Sequence, residues 1–339
     1  MSIKRNIILI DFDASPKWEM GAVLSEITKE DWNIAKCVTN KYHKNKFDSL
    51  KRIFLYFFFP LTIVIKRKKY DKIIGWQQFF GLNIAFWCRL FRLKKRNDIT
   101  IMTFIYKKKN GIIGTIYHKY MSYILSSKYI DRIICYSKNE CKYYSQLFNI
   151  KEQKFIFTHL GIAPISCNDT SDHGYIFAPG RSNRDFDFLS DVIGGTPYKC
   201  IIACDSLKNK VYPPNITILN NCTDENMLNV MAHSRCVAIP LKDLMISSGQ
   251  LVALQAMALG KIIICTCANG ITDYVDNEYA FVLQNDINTW KQTLNCIFND
   301  DDIVKTKANL ALQHFSNQFT ENTLFRNIAT ILNCQKADK

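Results

Sequence analysis

Two arginines on a glycine-containing turn are the residues of this chain best suited to bind a phosphate group. Residues 175–189 read YIFAPGRSNRDFDFL, in which an apolar strand runs into Gly180 and a helix follows after Arg184. Arg181 lies on the same turn. A guanidinium group is permanently charged, and its forked donors match phosphate oxygens better than the point charge of a lysine does. We therefore predict that Gly180, Arg181 and Arg184 contact a diphosphate, although two solvated loop arginines would give the same sequence.

A helix start in the second half of the chain has the composition of an anion site. Residues 246–261 read ISSGQLVALQAMALGK, where two serines and a glycine precede a helix that Gly260 would close. Free N–H groups and the helix dipole favour negative charge at such a start. A ribose following the pyrophosphate would reach a residue about 7.5 Å along the helix axis. The predicted diphosphate contacts are Ser247, Ser248, Gly249 and Gln250, and the predicted ribose contact is Gln255. A capped helix with a surface glutamine is the alternative.

Strands and helices that alternate along both halves would position these residues. Apolar strand candidates lie at 6–12, 33–38, 71–75, 99–105, 132–136 and 154–159, and a second series lies at 175–178, 199–203, 216–219, 236–239, 262–265 and 280–283. Helical stretches between them indicate parallel sheets covered on both faces. The sequence therefore predicts an α/β fold of two tandem Rossmann-like, doubly wound domains that face each other across a cleft. We expect domains at 1–165 and 174–315, joined by a polar linker, and a helix at 316–339 that packs back on the first domain.

The composition is that of an ordinary folded protein. A length of 339 residues suggests two domains, and 48% hydrophobic with 22% charged residues excludes extensive disorder. The thirteen cysteines are odd in number and form no Cys-x-x-Cys pair, so we expect them to be reduced and mostly buried. The most apolar uncharged stretches, at 53–65 and 73–88, are too short to span a bilayer, which predicts a cytoplasmic protein.

Nearly all of the excess positive charge lies in one segment of the first half. The net charge is +14, and residues 41–110 contain eighteen Lys or Arg against three Asp. Aromatic residues accompany this charge at 50–57 and 81–93, where Arg89 and Arg92 flank an apolar run. Apolar faces fringed with Lys and Arg suit the surface of an anionic membrane. A buried helix with a solvated basic face is the alternative, and no nucleic-acid-binding motif accompanies the charge.

Several motifs of the second half resemble the group 1 family of GT-B glycosyltransferases. Residues 233–240 (HSRCVAIP) are similar to the family's strand that ends in proline, and residues 255–263 (QAMALGKII) are similar to its Glu-Ala-Met-Ala-x-Gly-Lys-Pro-Val element. Gly180 and Arg181 match its Gly-Arg pair, and Arg184 stands where a lysine or arginine usually contacts phosphate. The resemblance implies a nucleotide-sugar donor bound by the second domain and an acceptor bound by the first.

Two positions depart from the pattern of that family. It usually carries two glutamates separated by seven residues, which fall here on Ser247 and Gln255. Gln255 still offers hydrogen bonds to a ribose, whereas Ser247 does not replace an acid that orients the donor sugar. The Ser-Ser-Gly-Gln run resembles a variant among bacterial polysaccharide glycosyltransferases. Donor binding therefore carries over from the family more completely than catalysis does.

The first half would supply the acceptor site and any general base. Asp11, Asp13 and Glu19 lie on the loop after the first strand, near the expected cleft. An inverting transfer needs such a base, and a retaining one does not. We take Asp13 and Glu19 as catalytic candidates, with structural roles as the alternative. Trp76 and Gln77, after the strand at 71–75, are candidates for acceptor contacts or for core packing.

The sequence thus predicts a glycosyltransferase on the inner face of the plasma membrane. It would move a sugar from a nucleoside-diphosphate donor, most readily UDP, to a lipid-linked glycan during capsule, exopolysaccharide or O-antigen assembly. No metal or other cofactor is expected, because the arginines and the helix dipole would stabilise the leaving diphosphate. A nucleotide-sugar-binding protein with weakened catalysis and a GT-B sugar-nucleotide epimerase are the alternatives.

Overall fold

The computed structural model describes residues 5–39, 41, 46–207, 210–222 and 224–334. The chain divides into two compact units. Unit 1 comprises Met1–Thr158 and Phe325–Lys339, and unit 2 comprises His159–Leu324.

Unit 1 is built on a six-stranded parallel sheet with the order β2-β1-β3-β4-β5-β6. Its strands are β1 (Arg5–Ile10), β2 (Trp32–Lys36), β3 (Tyr70–Gly75), β4 (Asp98–Ile101), β5 (Arg132–Cys135) and β6 (Phe155–Phe157). Its first five helices are α1 (Met20–Thr28), α2 (Lys46–Ile65), α3 (Gln78–Leu90), α4 (Gly111–Leu125) and α5 (Lys138–Phe148). Strand β5 is buried along its whole length, as expected for a parallel strand with both faces covered. Because β2 and β3 lie on opposite sides of β1, the loops after β1 and β3 diverge at a switch point, where open sheets bind ligands.

Helices α2, α3 and α4 of unit 1 are joined through a proline. Pro60 lies inside α2 and has no N–H, so the carbonyl of Tyr56 lacks its helical partner. Asn83 of α3 is fully buried and donates from Nδ2 to that carbonyl at 2.8 Å. The Oδ1 of Asn83 accepts a hydrogen bond from the hydroxyl of Tyr120 in α4. One amide side chain therefore satisfies polar groups of two neighbouring helices.

Unit 2 contains a second six-stranded parallel sheet, with the order β12-β11-β10-β7-β8-β9. Its strands are β7 (Tyr175–Pro179), β8 (Lys199–Ala203), β9 (Ile216–Leu219), β10 (Cys236–Ile239), β11 (Ile262–Thr266) and β12 (Phe281–Leu283). Its helices are α6 (Phe186–Ile193), α7 (Asp224–Ala232), α8 (Gln250–Ala258), α9 (Ile287–Asn299) and α10 (Asp301–Gln318). Counted from β7, this is the 3-2-1-4-5-6 order of dinucleotide-binding domains, with its switch point between β7 and β10. The predicted architecture of two doubly wound α/β domains is confirmed; that they face each other across a cleft stays a prediction.

The boundary between the units falls after Thr158, earlier than the predicted 165, because the next residues pack on unit 2. The backbone N–H of Leu160 donates to the hydroxyl of Tyr274 at 2.8 Å, and Ile162 pairs with Thr320 in an isolated bridge. Near the C-terminus, α10 extends to Gln318, so the final helix begins later than position 316.

The last helix of the chain, α11 (Glu321–Cys334), belongs to unit 2 only in its first residues. From Phe325 onward it is part of unit 1, where the Phe325 ring meets Trp18 at 5.7 Å and Trp76 at 6.2 Å between centroids. The aromatic edges pack against faces, a geometry that contributes beyond buried area. Residues 335–339 of the predicted C-terminal helix lie outside the described residues.

All thirteen cysteines are free thiols, as their spacing predicts. Seven of them are buried: Cys88, Cys135, Cys141, Cys200, Cys204, Cys236 and Cys265. Burial raises the pKa of the Cys236 thiol to about 12, so this group stays protonated and unreactive. Cys167 and Cys334 are exposed.

Within the described ranges, no helix is both long and apolar enough to traverse a bilayer.

Candidate donor site

The turn between β7 and α6 requires an unusual backbone conformation. Gly180 has φ +146°, and a Cβ at this position would lie 2.5 Å from Nε of Arg184. Asn183 has φ +52°, in the left-handed region that asparagine tolerates. Asp185 then caps α6, because its carboxylate accepts from the N–H of Phe188 at 3.1 Å. The glycine therefore allows the guanidinium of Arg184 to lie directly over the end of β7.

Arg184 is a cation without an acidic partner in the described part of the chain. Its Nε donates to the carbonyl of Pro179 at 3.2 Å and its Nη1 to that of Ser182 at 3.1 Å. Burial lowers the pKa of Arg184 to about 10, so the group remains charged at neutral pH. A guanidinium that is held by neutral carbonyls, with no ion pair to a described carboxylate, remains available to bind an anion. This is the arrangement expected for a phosphate-binding residue.

A cavity of about 440 Å³ opens beside this turn. Four cationic side chains line it, namely Arg181, Arg184, Lys210 and Lys242. The acids at its wall are Asp187 and Asp243, and Asp187 pairs with Lys210 at 2.7 Å. Arg181 is exposed at the rim. The cavity therefore carries a positive balance next to the carboxyl end of β7.

Asn183 joins this turn to the loop that follows β10. Its Nδ2 donates to the carbonyl of Asp243 and to Oγ of Ser248, both at 2.9 Å, and its Oδ1 accepts from the N–H of Asp243 at 2.8 Å. A backbone bridge between Arg184 and Leu241 lies alongside. The loops that follow β7 and β10 are therefore joined by hydrogen bonds at the switch point. The sequence alone assigns no role to Asn183, and its one signal here is an asparagine between two arginines on a turn.

The predicted start of helix α8 is confirmed at Gln250. Gly249 precedes it with φ +92°, and no side chain caps the first turn. The hydroxyl of Ser247 accepts from Nε2 of Gln250, and Ser248 is engaged by Asn183. The free N–H groups of the helix, rather than the serine hydroxyls, are therefore the main donors for an anion here. Ser247, Ser248 and Gln250 shape the loop around them.

Gln255, the predicted ribose contact, is half-buried on α8. Its Oε1 is buried and has no hydrogen-bond partner among the described residues. A buried amide oxygen without a partner is costly, and a ligand hydroxyl would satisfy it.

The predicted diphosphate residues fall into two groups. Arg181 and Arg184 line the cavity, whereas the start of α8 does not, and Asn183 connects the two groups.

The acid candidates of unit 1 have different surroundings. Asp13 is exposed and forms an ion pair with Lys36 at 2.7 Å, which lowers the pKa of Asp13. Glu19 is exposed directly before α1, where its carbonyl accepts from a helical N–H. Asp11 is half-buried at the switch point of this sheet, and its Oδ2 accepts from Nε2 of Gln77 at 3.0 Å and from Oγ1 of Thr39 at 3.3 Å. The roles of Asp13 and Glu19 in catalysis stay predictions, and the geometry favours Asp11 over both.

The predicted acceptor contacts have mostly structural partners. Trp76 packs against Phe12, Trp18 and Phe325. Gln77 caps α3 with its Oε1 while its Nε2 binds Asp11. At the switch point, Gln77 therefore presents a polar side chain next to Asp11.

The two predicted surface arginines also differ from each other. Arg89 donates to Ser126 at 2.9 Å and to the carbonyl of Tyr123, whose ring it covers at 4.0 Å. It therefore fastens α3 to α4. Arg92 is exposed, with φ +50°, just after α3. Between these two residues, Arg92 is the one whose charge faces solvent.

No group of three potential metal ligands of the His, Cys, Asp or Glu type occurs in the described part of the chain. The sequences Asp11-x-Asp13 and Asp185-x-Asp187 have the spacing of a metal-binding Asp-x-Asp pair, but their acids have other partners. Asp13 binds Lys36 and Asp187 binds Lys210, while Asp185 caps α6. Metal independence of the reaction stays a prediction.

No protein-family model matches the sequence, and no curated protein sequence matches it. Solved structures match its fold over nearly the whole length. Anabaena Alr3699/HepE in complex with UDP-glucose has a TM-score of 0.66 at 12% identity, covering 98% of this chain and 99% of that chain. Sucrose-phosphate synthase from Thermosynechococcus elongatus has a TM-score of 0.67 at 13% identity, covering 99% and 100%.

WaaG, described as a glycosyltransferase involved in lipopolysaccharide biosynthesis, has a TM-score of 0.62 at 9% identity, covering 97% of this chain and 99% of that chain. Identities this low establish the fold alone. The chain shares the two-domain, Rossmann-like α/β fold of these GT-B proteins, which is the fold class that its sequence predicts.

The three hydrogen bonds between Asn183 and the loop after β10, which we call the Asn183 clamp, give a direct test of the site. We expect Asn183→Gly to weaken UDP binding about tenfold, because the β10 loop loses three hydrogen bonds while glycine keeps the left-handed backbone. Titration calorimetry with UDP measures this. Asn149→Gly is the matched control, since Asn149 has the same φ of 52° but lies in unit 1. Equal affinities for the two variants would show that the clamp does not position the site.

Proposed function

We propose that this chain is a glycosyltransferase that moves a sugar from a UDP-sugar donor to a lipid-linked glycan acceptor in bacterial surface-polysaccharide assembly. One observation carries the proposal. The guanidinium of Arg184, which has no acidic partner among the described residues, and the uncapped start of α8 are connected through Asn183 at the switch point of the unit 2 sheet. Ligands of doubly wound sheets bind at this point, and both features favour a diphosphate.

The chemistry follows from where charge develops. The bond between the anomeric carbon of the sugar and the diphosphate oxygen breaks, and the acceptor hydroxyl oxygen bonds to that carbon and gives up its proton. The nucleoside diphosphate leaves with additional negative charge. Arg181, Arg184 and the N–H groups of α8 would stabilise that charge, and preorganised donors of this kind are a large contribution to catalysis. Gln255 would hold the ribose through its Oε1, which has no hydrogen-bond partner among the described residues.

The choice of UDP rests on a structural neighbour. Alr3699/HepE, which shares the fold, is described in complexes with UDP-glucose and with UDP.

The proposal of a lipid-linked acceptor has different support. WaaG is described in lipopolysaccharide biosynthesis, whereas sucrose-phosphate synthase shares the same fold, so the fold does not select the acceptor. The basic segment 41–110 favours an acceptor carried by an anionic membrane, with the enzyme peripheral on its cytoplasmic face. Residues 42–45 of that segment lie outside the described residues.

A nucleotide-sugar-binding protein with weakened catalysis is the second candidate. Ser247 and Gln255 carry no carboxylate, and the Ser247 hydroxyl is engaged by Gln250. Neither position therefore supplies an acid that orients the donor sugar. Such a protein would bind the donor without turning it over.

A thermal-shift panel of UDP-, GDP-, ADP- and CMP-sugars tests the proposal. We expect UDP-sugars to raise the melting temperature, by an amount set by the ratio of ligand concentration to Kd. Release of UDP is then measured with UDP-glucose and a bacterial glycolipid extract. UDP release that depends on the extract supports transfer, and stabilisation without release supports the binding protein. A converted sugar nucleotide in the absence of the extract would indicate an epimerase, and no stabilisation by any nucleotide sugar would refute the proposal.

A further inference from the structure

The carboxyl edge of the unit 1 sheet is surrounded by exposed apolar side chains. In a parallel sheet, each helix begins near the edge where the preceding strand ends, so α2, α3 and α4 all start at this edge. Asp11 and Gln77 lie at the same edge, after β1 and β3. Whatever binds this edge therefore lies beside the candidate acceptor site.

Helix α2 presents an apolar stripe to solvent. Its members are spaced as one helical face and are 45–75% exposed: Phe47, Leu50, Phe54 and Phe58. The rings of Phe54 and Phe58 stack at 4.0 Å, so they form a continuous surface. The opposite face is buried through Pro60, Ile63 and Val64. The α2 stripe is therefore a second apolar face of this helix, separate from the face that packs on the core.

The start of α4 presents a second apolar surface, fringed with lysines. Ile112, Ile113 and Ile116 are 80%, 76% and 63% exposed, and lysines 107–109 directly precede them and are exposed as well. The sequence has no acidic residue between Asp98 and Asp131. We call this surface, made by lysines 107–109 and the three isoleucines, the α4 tip. The chain segment that leads into it is held by Gln78, whose side chain accepts from the N–H of Ile105 at 3.1 Å and donates to its carbonyl at 3.2 Å.

The α2 stripe and the α4 tip lie on the same side of the sheet. Phe57 of α2 and Tyr120 of α4 are 5.9 Å apart between ring centroids. Phe86 of α3 packs against both, at 5.9 and 5.7 Å. Helix α3 thus fills the space beneath, and the two exposed surfaces are neighbours.

We infer that the α2 stripe and the α4 tip together bind the surface of an anionic membrane at the carboxyl edge of unit 1. The isoleucines and phenylalanines enter the boundary between headgroups and acyl chains, while lysines 107–109 contact lipid phosphates. Charge complementarity selects this occupant, because lysines 107–109 lie beside the exposed isoleucines and residues 41–110 contain eighteen Lys or Arg against three Asp, a balance that matches an anionic bilayer. This inference specifies which residues make the proposed membrane contact. It rests on the proposed function only in that it places a lipid-linked acceptor beside Asp11.

Co-sedimentation of the full chain with lipid vesicles tests the inference. We expect binding to vesicles of equal parts phosphatidylcholine and phosphatidylglycerol, and little binding to phosphatidylcholine alone. The variant K107Q/K108Q/K109Q should bind on the order of 100-fold more weakly, since each basic residue near the surface contributes about fivefold. The variant I112S/I113S should bind about tenfold more weakly or worse. Val211→Ser, at a 98% exposed position of unit 2, is the control for loss of surface apolarity and should bind as wild type does.

The matched control for charge is K66Q/K68Q/K69Q, which removes three exposed lysines from the opposite edge, after α2 ends. It should lose less than about fivefold, because a charge beyond a Debye length contributes little. Equal losses in the two lysine variants, or no vesicle binding by wild type, would overturn the inference. So would binding of double-stranded RNA that depends on lysines 107–109 in the absence of vesicle binding.

A UDP-glucose thermal shift on the same samples separates this inference from the proposed function. The lysine and isoleucine variants should respond to the nucleotide as wild type does, because their substitutions lie in unit 1 and the candidate donor site lies in unit 2. Vesicle binding without a nucleotide response would contradict the function and leave the membrane surface intact. A nucleotide response without vesicle binding would do the reverse.

Discussion

Arg184→Ala is expected to bind UDP-glucose about 10- to 100-fold more weakly than wild type, because a hydrogen bond to a charged group contributes about 1.5–3 kcal/mol. The guanidinium lies over Gly180 with two carbonyl partners and no described carboxylate. Alanine removes the charge without leaving another charge unpaired. Titration calorimetry gives the affinity, and the melting temperature without ligand shows whether the fold is preserved.

Arg184→Lys separates charge from geometry at this position. Lysine keeps the positive charge but lacks the forked donors, so we expect an intermediate affinity. Arg181→Ala should have a smaller effect, since Arg181 is exposed to solvent and its charge is screened. If the stabilisation by UDP-glucose survives Arg184→Ala unchanged, the phosphate role of Arg184 is wrong.

Asn83→Leu should lower the free energy of unfolding by about 3 kcal/mol, because it leaves two buried groups without partners. These groups are the carbonyl of Tyr56, which Pro60 deprives of a helical donor, and the hydroxyl of Tyr120. The melting temperature of unit 1 should fall by roughly 6–12 °C, as expected for a domain of this size. Differential scanning calorimetry measures this change.

Pro60→Ala provides the rescue that identifies the mechanism. An alanine at position 60 restores the N–H that the Tyr56 carbonyl lacks, so the double variant P60A/N83L should recover about 1–2 kcal/mol. If the second substitution recovers nothing, Asn83 acts through packing rather than through that carbonyl.

The fold could be predicted from the sequence because strand signals in a parallel sheet are local. Residues 236–239 form an apolar run ending before Pro240, and the structure places β10 at Cys236–Ile239. A strand covered on both faces has no polar positions, so its run is readable without knowing its neighbours. Strand ends were predicted less accurately. Strand β4 ends at Ile101 although the apolar run continues, because Thr103 has a left-handed backbone with φ +53°.

The candidate donor site could be proposed from sequence where one residue type suffices for the chemistry. Arg184 and the α8 start are readable as candidates because a permanent charge and a helix start favour anions in any fold. Asn183 was missed because its three hydrogen bonds reach residues 60 or more positions away. Local sequence contains no information about such partners.

The acids of unit 1 illustrate the same limit. The sequence alone does not distinguish Asp11 from Asp13, but β2 places Lys36 beside Asp13, and Gln77, directly before α3, donates to Asp11.

The basic segment 41–110 was also only partly predictable from its sequence. Its charge was readable by counting, whereas the packing of Phe86 between α2 and α4, and the exposure of Ile112 and Ile113, depend on how three helices meet.

The distribution of thiols makes the protein suited to site-directed labelling. The exposed thiols are Cys167 in unit 2 and Cys334 in unit 1, and the remaining partly accessible ones are Cys37, Cys222, Cys267 and Cys296. With those four changed to serine, the buried thiols would react slowly, since a protonated thiol is a poor nucleophile. A pair of fluorescent dyes on the two exposed positions would then report, by energy transfer, whether the units move when UDP-glucose is added.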